Sequence, residues 1–155
     1  MKIERLLFIV LASQISALAQ PPAQPRASTQ PKVMTWNVDG VKREAIVYSP
    51  MSKAARGRIP VVLAFHGHGD TADNYQGVGL HENWPQAVVV YPQGLDSARD
   101  GAPGWQVEKG KDADRDLKLV DQMLAALRQQ YSVDDTRIYA TGRSEERRVG
   151  KECRL

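Results

Sequence analysis

The sequence predicts an α/β fold, a mainly parallel sheet with helices on both faces. Three observations carry this prediction. Residues 59–65 and 87–91 are continuously apolar, as strands covered on both faces are. A helical or irregular stretch lies between them, and a strongly periodic helix follows. A third strand at 137–141 then ends at Gly142. Strand and helix in alternation imply parallel strands joined by crossovers. The length of 155 residues fits one domain at most, and 42% hydrophobic with 25% charged residues is globular composition. No apolar run reaches the roughly 18 residues that a membrane span needs.

In chain order, residues 1–19 read as an export signal. Lys2 and Arg5 precede the apolar run 6–12, and Ala17-Leu18-Ala19 is a small-x-small site with cutting expected before Gln20. The product is expected to be secreted, extracellular or periplasmic, and free of the membrane after cleavage. Residues 20–32, rich in Pro and Gln, read as a solvated linker. The domain is expected over 33–142. It opens with a hairpin, 33–38 and 43–48, turning at Asp39-Gly40. The apolar strand 59–65 breaks at His66-Gly67-His68-Gly69-Asp70. Residues 71–84 follow as helix or irregular chain, then strand 87–91, stopped by Pro92-Gln93-Gly94. Residues 95–111 read as a long loop holding Trp105. The helix 114–131 presents Leu117, Val120, Leu124, Leu127 and Tyr131 as one apolar stripe. Asp114 and Asp116 are expected at its start, facing the positive end of its dipole.

Charge and cysteine content narrow the function. Residues 20–142 hold equal numbers of acidic and basic groups, so the net charge of +3 comes from the two ends and gives no support for a nucleic-acid partner. The single cysteine, Cys153, falls in the tail and leaves the body without disulfides. The tail 143–155 lacks hydrophobic periodicity and resembles the in-frame translation of a short-read sequencing adapter. It is expected to be foreign to the gene, and long-read sequencing of the locus checks this.

Chemistry is expected where ligands bind such sheets, beyond the carboxyl ends of the strands. The loops at 66–70 and from 142 onward both lie there. Ester hydrolysis needs N–H donors aimed at a developing oxyanion and a nucleophile beside them. Glycines at 67 and 69 permit a sharp turn that points main-chain amides into a pocket. Gly142 at a strand end suits the start of a nucleophile elbow.

Phe65-His66-Gly67-His68-Gly69-Asp70, Val90-Tyr91-Pro92-Gln93-Gly94, Gly104-Trp105-Gln106 and Arg137-Ile138-Tyr139-Ala140-Thr141-Gly142 together resemble the exported polyhydroxybutyrate depolymerase and feruloyl esterase-like family of α/β-hydrolases. The resemblance covers about residues 33–142. It implies the N-terminal half of an α/β-hydrolase fold, cut after the strand that leads to the elbow. It implies a secreted serine esterase without cofactor or metal, acting on polyester oligomers or on feruloyl or acetyl esters. His68 and Gly67 would form the oxyanion hole, and His66 and Trp105 would line the cleft with Tyr91 to Gly94 in support. Ser144 occupies the nucleophile's position. The motif departs from Gly-x-Ser-x-Gly, because Gly142-Arg143-Ser144-Glu145-Glu146 has no glycine in fifth place. The chain as written is therefore expected to be inactive.

Other readings are weaker. His66 and His68 as metal ligands lack a third convergent partner. His81 follows no strand end and is expected at the surface. Asp112, Asp114 and Asp116 open like a calcium loop, but Leu117 and Met123 stand where glycine and glutamate are required. A non-catalytic carbohydrate-binding module would need Trp84 and Trp105 exposed on one face. Trp36 reads as a packing residue.

Overall fold

The computed structural model describes residues 30–50 and 57–143. The expected leader at 1–19, most of the linker, and Ser144 with the tail after it lie outside the described residues. The elements are β1 (Lys32–Val38), β2 (Val41–Tyr48), β3 (Ile59–Phe65), α1 (Ala72–Tyr75), α2 (Leu80–Asn83), β4 (Val88–Pro92), β5 (Leu95–Asp96), β6 (Pro103–Gly104), α3 (Arg115–Gln130) and β7 (Val133–Gly142). One 3₁₀ turn, Gln76–Val78, links α1 to α2, and another, Asp112–Asp114, leads into α3.

Five strands form one sheet in the order β1-β2-β4-β3-β7. The β3, β4 and β7 strands run parallel, as the alternation of strand and helix requires, and the hairpin joins them antiparallel through β2 on β4. The hairpin turns at Asp39 (φ 51°) and Gly40 (φ 85°), the two left-handed residues that a two-residue turn of this hand needs. The Asn37 side chain accepts from the Gly40 amide at 2.8 Å.

Both faces of the sheet are covered. Val61, Leu63, Val88 and Val90 pack with Leu119, Met123 and Leu127 of α3. On the other face, Val62, Ala64, Val89 and Tyr91 pack with Ala72 and Tyr75 of α1. Inward and outward residues alternate along β3 and β4, and both sets are apolar because both faces are buried.

Three expectations need correction. The buried face of α3 is Asp116, Leu119, Met123 and Leu127, whereas Leu117 is 44% exposed. The fully buried line is shifted from the predicted stripe, of which Leu127 is buried while Val120, Leu124 and Tyr131 pack partly buried against the same core. Asp116 lies in the first turn as expected, and it is buried. The Asp114 side chain does not cap the helix; it accepts from the Gly110 amide at 2.7 Å and from Gln106 Nε2 at 3.1 Å. The loop 95–111 contains the short hairpin of β5 and β6. The β7 strand is largely exposed from Asp135 onward. Its pairing with β3 is interrupted after Ile59↔Val133 and resumes at Val61↔Ile138, so residues 134–137 bulge from the sheet.

Candidate functional site

The parallel strands β3, β4 and β7 release their chains at one rim. Phe65 pairs with Gly142 in the ladder, and the Arg143 amide donates to the Phe65 carbonyl at 3.1 Å. The turn at 66–69 and the chain leaving Gly142 are therefore neighbours on the same rim, as two-loop chemistry requires. A Cβ on Gly142 would lie 3.2 Å from the Phe65 carbonyl oxygen, so a small residue suits this approach.

His66 is only 1% exposed and is held at both ring nitrogens. Nδ1–H donates to the Gly67 carbonyl at 2.7 Å, and Nε2 accepts from the Gly94 amide at 2.9 Å. The ring is thus locked, tying the loop after β3 to the loop after β4. This corrects its expected place in the cleft wall and removes it as a free metal ligand. Its carbonyl accepts from the indole N–H of Trp105 at 2.8 Å. Trp105 is half-buried, edge-on to Phe65 with ring centres 5.0 Å apart. It braces the rim from beneath.

The loop proper is held from one side. Gly69 (φ 77°) donates its amide to the Pro103 carbonyl at 2.8 Å, and Asp70 donates its amide to Gly67 at 3.1 Å. His68 is exposed, and its Nε2–H donates to Asp100 Oδ2 at 2.8 Å. The bond from His68 holds the Asp100 carboxyl down to about 2. The amides of Gly67 and His68 donate to no acceptor among the described residues. Asp70 accepts from the Thr71 amide, which lowers its carboxyl below the ordinary range.

Beneath the rim lies a buried polar network not foreseen from the sequence. Arg43 of β2, also 1% exposed, donates to Asp116 at 2.8 Å and to the Gln93 carbonyl at 3.3 Å. Asp116 also accepts from the Gln106 amide at 2.6 Å, and the Gln106 side chain accepts from the Asp116 amide at 2.9 Å. Gln93 accepts from the Ala72 amide at 2.9 Å. A signal existed: period-two alternation puts Arg43 on the face of Ala45 and Val47, and helical spacing puts Asp116 in phase with Leu119 and Met123.

His81 is not a plain surface residue. It stacks on Tyr48 with ring centres 3.6 Å apart and lies 3.1 Å from the Tyr91 hydroxyl. Burial pushes its pKa down and pushes the Tyr91 phenol up to about 12. Tyr91 therefore serves the helix-covered face and is fully buried, away from any open cleft. The two tryptophans required by a carbohydrate-binding module are on opposite faces. Trp105 packs against the α3 side, whereas Trp84 leans on Tyr139, whose ladder partner Val62 faces α1. Among the described residues, no three His, Cys, Asp or Glu side chains are grouped to hold a metal ion.

The mixed sheet, its crossover order and the two adjacent loops at the strand carboxyl ends define the first part of an α/β-hydrolase fold. No protein-family model matches the chain. The chain is similar to the bifunctional acetylxylan esterase/xylanase XynS20E of Neocallimastix patriciarum, at 32% identity over 109 residues, which are 66% of this chain and 14% of that protein. Among solved structures, a ferulic acid esterase from Anaeromyces mucronatus superimposes with a TM-score of 0.52 at 16% identity, over 74% of this chain and 48% of that one. An S-formylglutathione hydrolase from Agrobacterium tumefaciens gives 0.56 at 18% identity, over 72% and 48%. The chain thus spans less than half the length of each of these proteins.

Proposed function

We propose that this chain is the N-terminal part of an exported serine esterase that cleaves carboxylic esters outside the cell. The observation that supports this best is the pair of amides, Gly67 and His68, that have no acceptor among the described residues, beside the point where the chain leaves Gly142. On this reading the two amides bind the oxyanion of a tetrahedral intermediate, and a serine on the strand-end turn attacks the ester carbonyl. The attack forms an acyl-enzyme and expels the alcohol, and water then releases the acid. Residues 1–19 direct export and are removed before Gln20. Substrates are polyester oligomers or feruloyl and acetyl esters of plant polysaccharide. The acetylxylan esterase and ferulic acid esterase named above favour the latter.

Ser144 stands at the nucleophile's position, but Glu146 fills the place where the elbow's strained turn needs a small residue. The 155-residue chain is therefore expected to hydrolyse no ester. Hydrolysis of p-nitrophenyl acetate that Ser144→Ala abolishes would overturn that expectation. The esterase assignment itself is tested by the DNA beyond codon 142. A glycine-flanked serine codon followed by later Asp and His codons supports it, and their absence removes it.

A further inference from the structure

We infer that the β5–β6 hairpin is a clamp that sets the pitch of the 67–69 turn, with His68 and Asp100 as positioning residues. The purpose given to the clamp rests on the oxyanion reading above; its existence does not. The turn has few means of holding itself. Among the described residues, its internal main-chain bond is that from the Asp70 amide to the Gly67 carbonyl, while the amides of Gly67 and His68 are unpaired. Beside the His66 ring bond to the Gly67 carbonyl, the remaining restraints come from one short stretch, residues 100–105. Pro103 accepts from Gly69, Asp100 accepts from the His68 ring, and Trp105 donates to the His66 carbonyl.

The fit of the two segments supports the same conclusion. The His68 ring lies directly over Gly104, where an added Cβ would come within 2.8 Å of Nδ1. A Cβ on Gly94 would come within 2.5 Å of the Gly104 carbonyl oxygen. Both glycines allow the hairpin to sit close under the turn and close to the end of β4. The Asp100 carboxylate is itself oriented. Oδ1 accepts from the Ala102 amide at 3.2 Å, and Oδ2 receives Arg99 at 3.3 Å as well as His68. An oriented carboxylate fixes one ring azimuth of His68, and the ring fixes the peptide that carries its amide. Preset donors cost no reorganisation when charge develops beside them.

The test uses the full chain, labelled with ¹⁵N. Amide hydrogen exchange at Gly69 reports the Pro103 bond. Asp100→Ala is expected to raise that exchange about threefold, the effect of losing one exposed ion pair. Gly104→Ala, which displaces the ring but keeps both partners, is expected to do the same. Arg99→Ala removes one contact to the carboxylate but leaves its bonds to Ala102 and His68, and should raise Gly69 exchange clearly less than Asp100→Ala does. Unchanged exchange in Asp100→Ala, or an equal rise in Arg99→Ala, overturns the clamp. A second readout separates positioning from mere support. Sodium acetate is titrated while the Gly67 and His68 amide shifts are followed, and its dissociation constant should rise about threefold in Asp100→Ala. Equal affinity in both proteins counts against positioning. Amides that ignore acetate in the unmodified chain count against the oxyanion reading, while the exchange rates still decide the clamp.

Discussion

Arg43 and Asp116 show how one buried pair can set the geometry of a rim. Arg43 is buried on β2, and its guanidinium meets a carboxylate on the first turn of α3 at 2.8 Å. Replacing such a pair with apolar groups is often neutral, but removing one partner strands a charge. Asp116→Ala is therefore expected to cost about 3–5 kcal/mol. The double change Arg43→Met with Asp116→Leu should cost clearly less. Urea midpoints of the two variants check this; equal losses would show that the charges contribute little. The Gln106 amide also loses its acceptor in the single variant, so Trp105 beside it should loosen, visible as a red-shifted tryptophan emission. The identity of these two residues was legible in the sequence, but their pairing was not. Each lies on an inward face, yet 73 positions separate them. Only the sheet order, with β2 inserted next to β4, brings the start of β2 beneath the start of α3.

At the scale of elements, α3 shows where periodicity reads well and where it slips. Spacings of three and four residues admit two overlapping stripes on this helix, one through Leu117 and one through Leu119 and Met123. The second is fully buried on the sheet, while of the first Leu117 is exposed and Val120 and Leu124 pack partly buried against the same core. The distinction yields a paired prediction. Leu119→Ala should cost about 2–5 kcal/mol, the range for truncating a fully buried leucine. Leu117→Gln should fall within about 0.5 kcal/mol of the parent. Thermal melts of both variants decide it, and a larger loss at Leu117 would restore the stripe predicted from spacing alone. The β7 strand shows a different limit. Its apolar residues suggest cover on both faces, but burial depends on neighbours that a strand's own composition cannot reveal. Tyr139 is 45% exposed, and among the described residues β7 pairs with β3 alone. An uncovered edge with apolar side chains invites pairing with another chain. Sedimentation should therefore show association that grows with concentration, and Tyr139→Lys should weaken it. A monomer at every concentration would refute this.

The whole molecule binds its protons unevenly, and the sign of each shift predicts how stability follows pH. Asp100 and Asp134 are held at about 2, by the His68 ring bond and by the Thr136 hydroxyl respectively, against an ordinary value of 3.8. Asp70 and Asp114 are lowered too, chiefly by the Thr71 and Gly110 amides. A carboxyl lowered on folding contributes stability above its unfolded value, and that contribution is lost as pH falls toward the folded value. These four groups should therefore act together between about pH 4 and pH 2. His81 shifts the opposite way for a base, because burial against Tyr48 and Tyr91 disfavours its charged form. Its unfolded state takes up a proton first, so stability should already begin to fall as pH drops through its ordinary value of 6.5. The expected curve has two descents, a shallow one starting near pH 6.5 and a steeper one below about pH 4. Urea midpoints collected from pH 8 to pH 2.5 would resolve them. His81→Phe keeps the stacking on Tyr48 but cannot be protonated, so it should erase the first descent and leave the second. A first descent that survives His81→Phe would place the responsible proton elsewhere.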